Sequence, residues 1–126
     1  KDKCNAYFKK GYVLFFAGGT GHPYFSTDTG VALRAVELNA DAILLAKNID
    51  GVYTADPKKD PDATLIRSIS YEEAQEKHLK VIDAAAFALC SENRVPLMRV
   101  FLLDEPEAIL KVLKGDDRGT VLFPQK

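Results

Sequence analysis

The sequence has no apolar run long enough to span a membrane. The longest, Ala84–Cys90, falls well short of the ~20 residues a transmembrane helix requires. An excess of one charge is also missing: 17 Lys and Arg face 18 Asp and Glu, a formal charge of -1. No bulk positive field therefore recruits nucleic acid or an anionic membrane. Cysteine is scarce, and Cys4 and Cys90 lie far apart with no Cys/His cluster beside either. That argues against a disulfide scaffold or a zinc site and fits the reducing cytoplasm. The polar, basic first dozen residues hold no apolar centre, so no signal peptide is expected. Repeats, low-complexity stretches and linkers are lacking too, and one domain is expected over residues 1–126. The remaining composition, 47% hydrophobic and 28% charged, is that of an ordinary globular protein.

Short apolar runs alternate with helical patterns. Val13–Ala17, closed by Gly18, Gly19 and Gly21, predicts a strand buried on both faces. Ser26 or Thr27 caps a helix running to about Asn39, with Val31, Ala35 and Leu38 as its buried stripe. Ala42–Ala46 is a second strand, and a long loop holding a hairpin follows it, marked by Asp50-Gly51, Pro57 and Pro61. Ser70 to Glu73 is a capping box opening a helix over Tyr71–Lys77. Asp83–Asn93 reads as an Ala-rich helix buried on most sides, and Leu97–Leu103 as a third strand. Asp104 and Glu107 stand as cap and third residue of a helix ending at Gly115, and Thr120–Phe123 is a last strand. The alternation predicts an α/β fold with a largely parallel sheet. Ligand sites in such sheets collect beyond the carboxyl ends of the strands. The loops Gly18–Thr27 and Lys47–Pro57 should share that edge.

The first loop combines glycines, which let backbone approach a ligand, with hydroxyls at Thr20, Ser26 and Thr27. The helix start near Thr27 would favour an anion such as a phosphate. As a bare pattern it is equally a tight turn whose hydroxyls cap. Asp28 in the first helical turn suits the dipole, and Tyr24 and Phe25 either stack on a base or join the core. In the second loop Lys47, Tyr53 and Asp56 offer a cation, an aromatic platform and an acceptor, as a phosphorylated nucleoside would need. Asp83 reads as a helix cap, and His78 with Glu72, Glu73 and Glu76 as a solvated face.

Taken together, GGTGHPYFSTDT (Gly18–Thr29) and AKNIDGVYTADPKKDP (Ala46–Pro61) resemble the bacterial uridylate kinase (UMP kinase) family of the amino acid kinase superfamily. DGVYTADP is shared more widely, with close versions in aspartate kinases and glutamate 5-kinases, whereas the first string is particular to uridylate kinases. LKVIDAAAFALCSENRVPL (Leu79–Leu97) and KGDDRGTVL (Lys114–Leu122) resemble the C-terminal part of the same family.

The resemblance implies a three-layer α/β/α sandwich of the amino acid kinase type, of which this chain is the C-terminal portion. It further implies transfer of the ATP γ-phosphoryl group to UMP with Mg²⁺, in a cytoplasmic homohexamer activated by GTP and inhibited by UTP. Thr20, Gly21, His22, Pro23, Tyr24, Phe25, Ser26 and Thr27 match the segment that embraces UMP. Tyr53 and Asp56, with Lys47 or Asn48, match residues that hold ATP; Asp28 and Asp83 match acidic residues of catalysis or site organisation. No residue is expected to form a dedicated metal site.

His22 stands where the family usually has Asn, and Leu102 where Asn is common. The family's first-strand lysine, its phosphate-clamping glycine-rich turns and its nucleotide-binding arginine and aspartate have no counterpart in these residues. A processed or truncated chain is therefore expected, inactive alone and less stable than a complete domain. An amino acid kinase acting on another small acid and a non-catalytic nucleotide-binding module are the competing readings.

Overall fold

The structure, a computed structural model, describes residues 1–126. Its frame is a four-stranded sheet in the order β1 (Ile43–Lys47), β5 (Met98–Leu102), β6 (Thr120–Phe123), β4 (Ser68–Ser70). β1 pairs with β5 and β4 with β6 in parallel, while β5 and β6 run antiparallel. A separate two-stranded sheet joins β2 (Val52–Tyr53) to β3 (Leu65–Ile66), the hairpin expected in the long loop.

Alternation along the central strands divides the molecule into layers. Ile43 and Leu45 of β1, with Met98 and Val100 of β5, enter the main core. They meet Ala32 and Ala35 of α2 (Thr27–Leu38) and Ala86 and Cys90 of α4 (Ala84–Glu92). On the opposite face Phe101, Leu44 and Ala46 pack on Ala108 and Val112 of α5 (Ala108–Leu113). Helices on both faces of a mostly parallel sheet make the three-layer α/β/α arrangement. No helix is long and apolar enough to cross a membrane.

Three helix starts follow the capping chemistry of the sequence. Ser26 accepts from the Thr29 N–H, Ser70 from Glu73 at the head of α3 (Tyr71–Glu76), and Asp83 from Ala86.

Elsewhere the structure corrects the sequence reading. Val13–Ala17 joins no sheet, and Phe15 is 95% exposed. An apolar run becomes a strand only where a neighbour supplies backbone partners, and β1 is paired only on its β5 side. Before this segment lies an unexpected helix, α1 (Asp2–Lys9), which buries no residue and has Asp2 and Lys9 suitably placed for its dipole.

The buried face of α2 is Thr29, Gly30, Ala32 and Ala35, whereas Val31 is exposed. α2 lies against α4, where small side chains permit close approach, so the largest residues did not mark the contact. α4 itself buries only Ala86 and Cys90, leaving Ala84, Ala85 and Ala88 exposed. α5 begins after Glu107 with no side-chain cap, because the acids before it are engaged elsewhere. Asp104 pairs with Arg118 at 3.2 Å, and Glu105 pairs with Lys111.

Candidate functional site

The two loops meet at the carboxyl end of β1. Its last residue, Lys47, extends Nζ to within 2.8 Å of Asp28 Oδ2 in the first turn of α2. Both side chains are about three-quarters buried, at 24% and 22% exposure. The expectation that Gly18–Thr27 and Lys47–Pro57 share an edge is therefore met by a direct ion pair. It joins the element that follows one loop to the strand that opens the other.

A second junction brings together the starts of α2 and α4. Thr29 Oγ1 donates to Asp83 Oδ1 at 3.0 Å, and Ser26 Oγ donates to Oδ2 of the same carboxylate. The Ala86 N–H completes the set, donating to Oδ1 at 3.0 Å. Partial burial pushes the Asp83 pKa up, but the hydrogen bonds from Ser26, Ala86 and Thr29 together outweigh it and hold the carboxyl below its usual range. Asp83 thus caps one helix and fastens the head of another. Thr29 was missed in the sequence reading; its position three residues after the cap Ser26 was the available local signal.

Along the first loop, Gly18, Gly19 and Gly21 all have positive φ, giving a turn that side chains would strain. The turn passes over α2 at Gly30, where an added Cβ would lie 3.3 Å from Gly19 Cα. The Thr20 hydroxyl closes a local loop, accepting from the His22 N–H at 3.1 Å. His22, Pro23, Tyr24, Phe25, Ser26 and Thr27 are exposed. Tyr24 is wholly so and takes positive φ, 70°, a conformation costing a bulky residue about 1–2 kcal/mol. Neither Tyr24 nor Phe25 joins the core. Beneath the loop an open, largely apolar groove of about 590 Å³ runs between Phe16–Gly19 and the Val31, Ala35 and Leu38 side of α2.

In the second loop Asn48 is exposed, while Tyr53 sits on β2 and donates its hydroxyl to Asp50 at 2.8 and 2.9 Å. That bond, with lesser desolvation and the nearby negative charge, raises the tyrosine pKa. Asp50 was read only as a turn residue. Asp56 is exposed and folds the chain after it: its carboxylate accepts from the Lys58 N–H at 2.9 Å, and its carbonyl from Lys59 and Asp60. No group of three or more His, Cys, Asp or Glu side chains gathers as a metal cage.

The edge thus presents one lysine, two carboxylates at helix starts, a glycine turn of positive φ and a tyrosine-bearing hairpin. The sequence profile of the amino acid kinase family matches residues 1–101. The fold superimposes on the UMP kinase of Bacillus anthracis with a TM-score of 0.87 at 34% identity, covering 98% of this chain and 51% of that one. For the UMP kinase of Ureaplasma parvum the TM-score is 0.84 at 41% identity, with 97% and 52% covered. For the uridylate kinase of Archaeoglobus fulgidus it is 0.75 at 34% identity, with 94% and 56% covered. The chain spans about half the length of these structures. It belongs to the amino acid kinase family.

Proposed function

We propose that this chain carries the ATP loop and part of the UMP loop of a UMP kinase, which transfers the γ-phosphoryl group of ATP to UMP and yields UDP for pyrimidine nucleotide biosynthesis. The observation that carries the reading is the Lys47–Asp28 pair, which holds the two loops at one sheet edge. The similarity to UMP kinases over nearly the whole chain supports UMP as the acceptor.

Phosphoryl transfer asks little covalent chemistry of a protein; it depends on aligning two anionic substrates and neutralising the charge between them. In this reading Thr20–Thr27 embraces UMP, and the first-turn amides of α2, which lack intrahelical partners, favour its phosphate. Tyr53 and Asp56 hold the ATP nucleoside, with Lys47 or Asn48 beside it. Lys47 brings positive charge to the junction, and Asp28 orients that charge through the 2.8 Å contact. Asp83 keeps the hydroxyls of Ser26 and Thr29 in place and thereby anchors the end of the acceptor loop.

If bound with the nucleotides, Mg²⁺ would supply charge neutralisation between the phosphates. An ion of that kind needs only one or two protein carboxylates beside substrate phosphates, and Asp28 at the Lys47 junction or Asp83 at the second junction would offer one. The reading extends to a homohexamer in the cytoplasm that responds to GTP and UTP, which sedimentation and activity measurements with each nucleotide would check.

The test is ATP-dependent phosphorylation with Mg²⁺ by the 126-residue chain beside the complete protein, with UMP, aspartate and glutamate offered as acceptors. UDP formation by the complete protein alone is the expected result. Preference for an amino acid would reassign the enzyme within its family. ATP binding without transfer to any acceptor would make it a nucleotide-binding module.

A further inference from the structure

We infer that Thr120, on a different strand and far from both loops in sequence, is a positioning residue for the nucleotide-holding hairpin. The inference rests on the proposed ATP role of Tyr53 and Asp56.

Thr120 is wholly buried at the start of β6. Its Oγ1 accepts from the Val52 N–H at 2.8 Å and donates to the Ile66 carbonyl at 2.5 Å. Val52 and Ile66 are register partners, so one hydroxyl grips both strands of the β2–β3 hairpin at the same rung. A hydroxyl has one proton to give and lone pairs to accept with, and both functions are used. The hairpin has only two residues in each strand and belongs to a sheet of its own. A ribbon that short is not stable alone. The Thr120 hydroxyl ties it to the four-stranded sheet one residue before Tyr53.

Close packing on both sides seats that hydroxyl. A Cβ at Gly51 would lie 2.7 Å from Thr120 Oγ1, so only glycine lets the loop descend onto it. At Gly119, with φ +80°, a Cβ would lie 2.0 Å from the Val100 carbonyl oxygen. Gly119 therefore presses the start of β6 against β5 and sets where Thr120 stands. The Asp50-Gly51-Val52-Tyr53 turn and the Gly119-Thr120 pair are two halves of one joint, closed across 68 residues of sequence.

Without the hydroxyl, the Val52 N–H and the Ile66 carbonyl lose their buried partner. The hairpin then samples other positions, and ATP must order Tyr53 on binding. UMP, at the other loop, is unaffected.

The test uses the complete protein with Thr120→Val, close in shape but without the hydroxyl, and Thr120→Ser, which keeps it. The expected result is an ATP KM raised about ten-fold in Thr120→Val, with kcat and the UMP KM within about two-fold and Thr120→Ser near wild type. An unchanged ATP KM, equal rises for both substrates, or a serine variant as impaired as the valine one would overturn the inference. Amide exchange in the wild type reads the joint independently, even where Thr120→Val does not fold. Val52 should exchange slowly beside Asp50, and fast exchange at Val52 would sink the proposal. If the wild type transfers no phosphoryl group from ATP, the proposed function falls, while Val52 protection still decides whether the joint exists.

Discussion

The loop Gly18–Thr27 is fastened only toward its end, through Ser26 and Asp83, and its middle from His22 to Phe25 stands exposed. The loop beginning at Lys47 is fastened at its root by Asp28 and further along by its own hairpin, with Asp56 folding the turn beyond. In the proposed reaction the ATP loop is thus built before its ligand arrives, whereas the UMP loop has an anchored end and a free span that must settle on its ligand. A preformed site binds without an ordering cost, and a free span adapts. The difference assigns rigidity to the donor side and adjustment to the acceptor side.

The hardest blow to this comparison would fall on the residues that join the two loops. Asp28→Asn removes the carboxylate partner of Lys47 and should lower kcat on the order of 100-fold, the scale lost with a single charged or hydrogen-bonding group aimed at a reacting centre. Stability should change by less than about 1 kcal/mol, because the pair is partly solvated. Steady-state kinetics beside a denaturant titration would separate the two effects. Unchanged turnover would remove Asp28 from the mechanism and reduce its bond with Lys47 to a structural strut.

How far such a site can be read from sequence depends on how local its causes are. The caps Ser26, Ser70 and Asp83 act within three residues of themselves, and each was legible. That the long loop holds a hairpin was legible, but Asp50-Gly51 precedes β2, and the chain turns between β2 and β3 through Pro57 and Pro61. Asp28 and Lys47 were both candidates, but the ion pair between them depends on how α2 and β1 pack. Val13–Ala17 was misread because an apolar pattern records what a segment would bury and not whether a neighbour is present to pair with it. The start of α5 was misread because Asp104 found Arg118, 14 residues on, and Glu105 found Lys111 within the helix itself. Thr29 had a local signal only in its place after the cap Ser26, its bond to Asp83 lying 54 residues away, and Thr120 acts through partners 54 and 68 residues away, beyond any local pattern.

A smaller effect is expected where the acceptor loop is anchored. Asp83→Asn keeps shape and part of the hydrogen bonding but loses the charge that draws in Ser26, Thr29 and the Ala86 amide. A cost of about 1 kcal/mol is expected, the usual size of a cap's contribution. The UMP KM should rise more than the ATP KM, since only the first loop is anchored at this carboxylate. Acid dependence provides a second reading. The folded pKa of Asp83 lies below its ordinary value, so its contribution is complete above the unfolded pKa and is lost as pH falls through the folded one. Between wild type and Asp83→Asn, the stability difference measured by denaturant titration should therefore shrink as pH drops below the carboxylate range. A difference that stays constant with pH would mean that the carboxylate's charge is not what fastens the loop.

The smallest effect should come from Tyr53→Phe. The hydroxyl donates to both oxygens of Asp50, but at an exposed position, where water replaces a lost bond readily. Stability should stay close to that of wild type. The ring remains as a platform for the nucleoside, so the ATP KM should rise no more than about three-fold. The raised phenol pKa adds a pH signature: the Tyr53 contribution is complete below the unfolded value and is lost as pH rises through the folded one, so the two proteins should converge in alkaline solution. Because the variant leaves the rung at Val52 and Ile66 intact, it separates holding the hairpin from touching the ligand. A rise in ATP KM as large as that expected for Thr120→Val would shift the weight of the site from the buried joint to the exposed hydroxyl, and the preformed donor loop would then owe its shape to Asp50 and Tyr53.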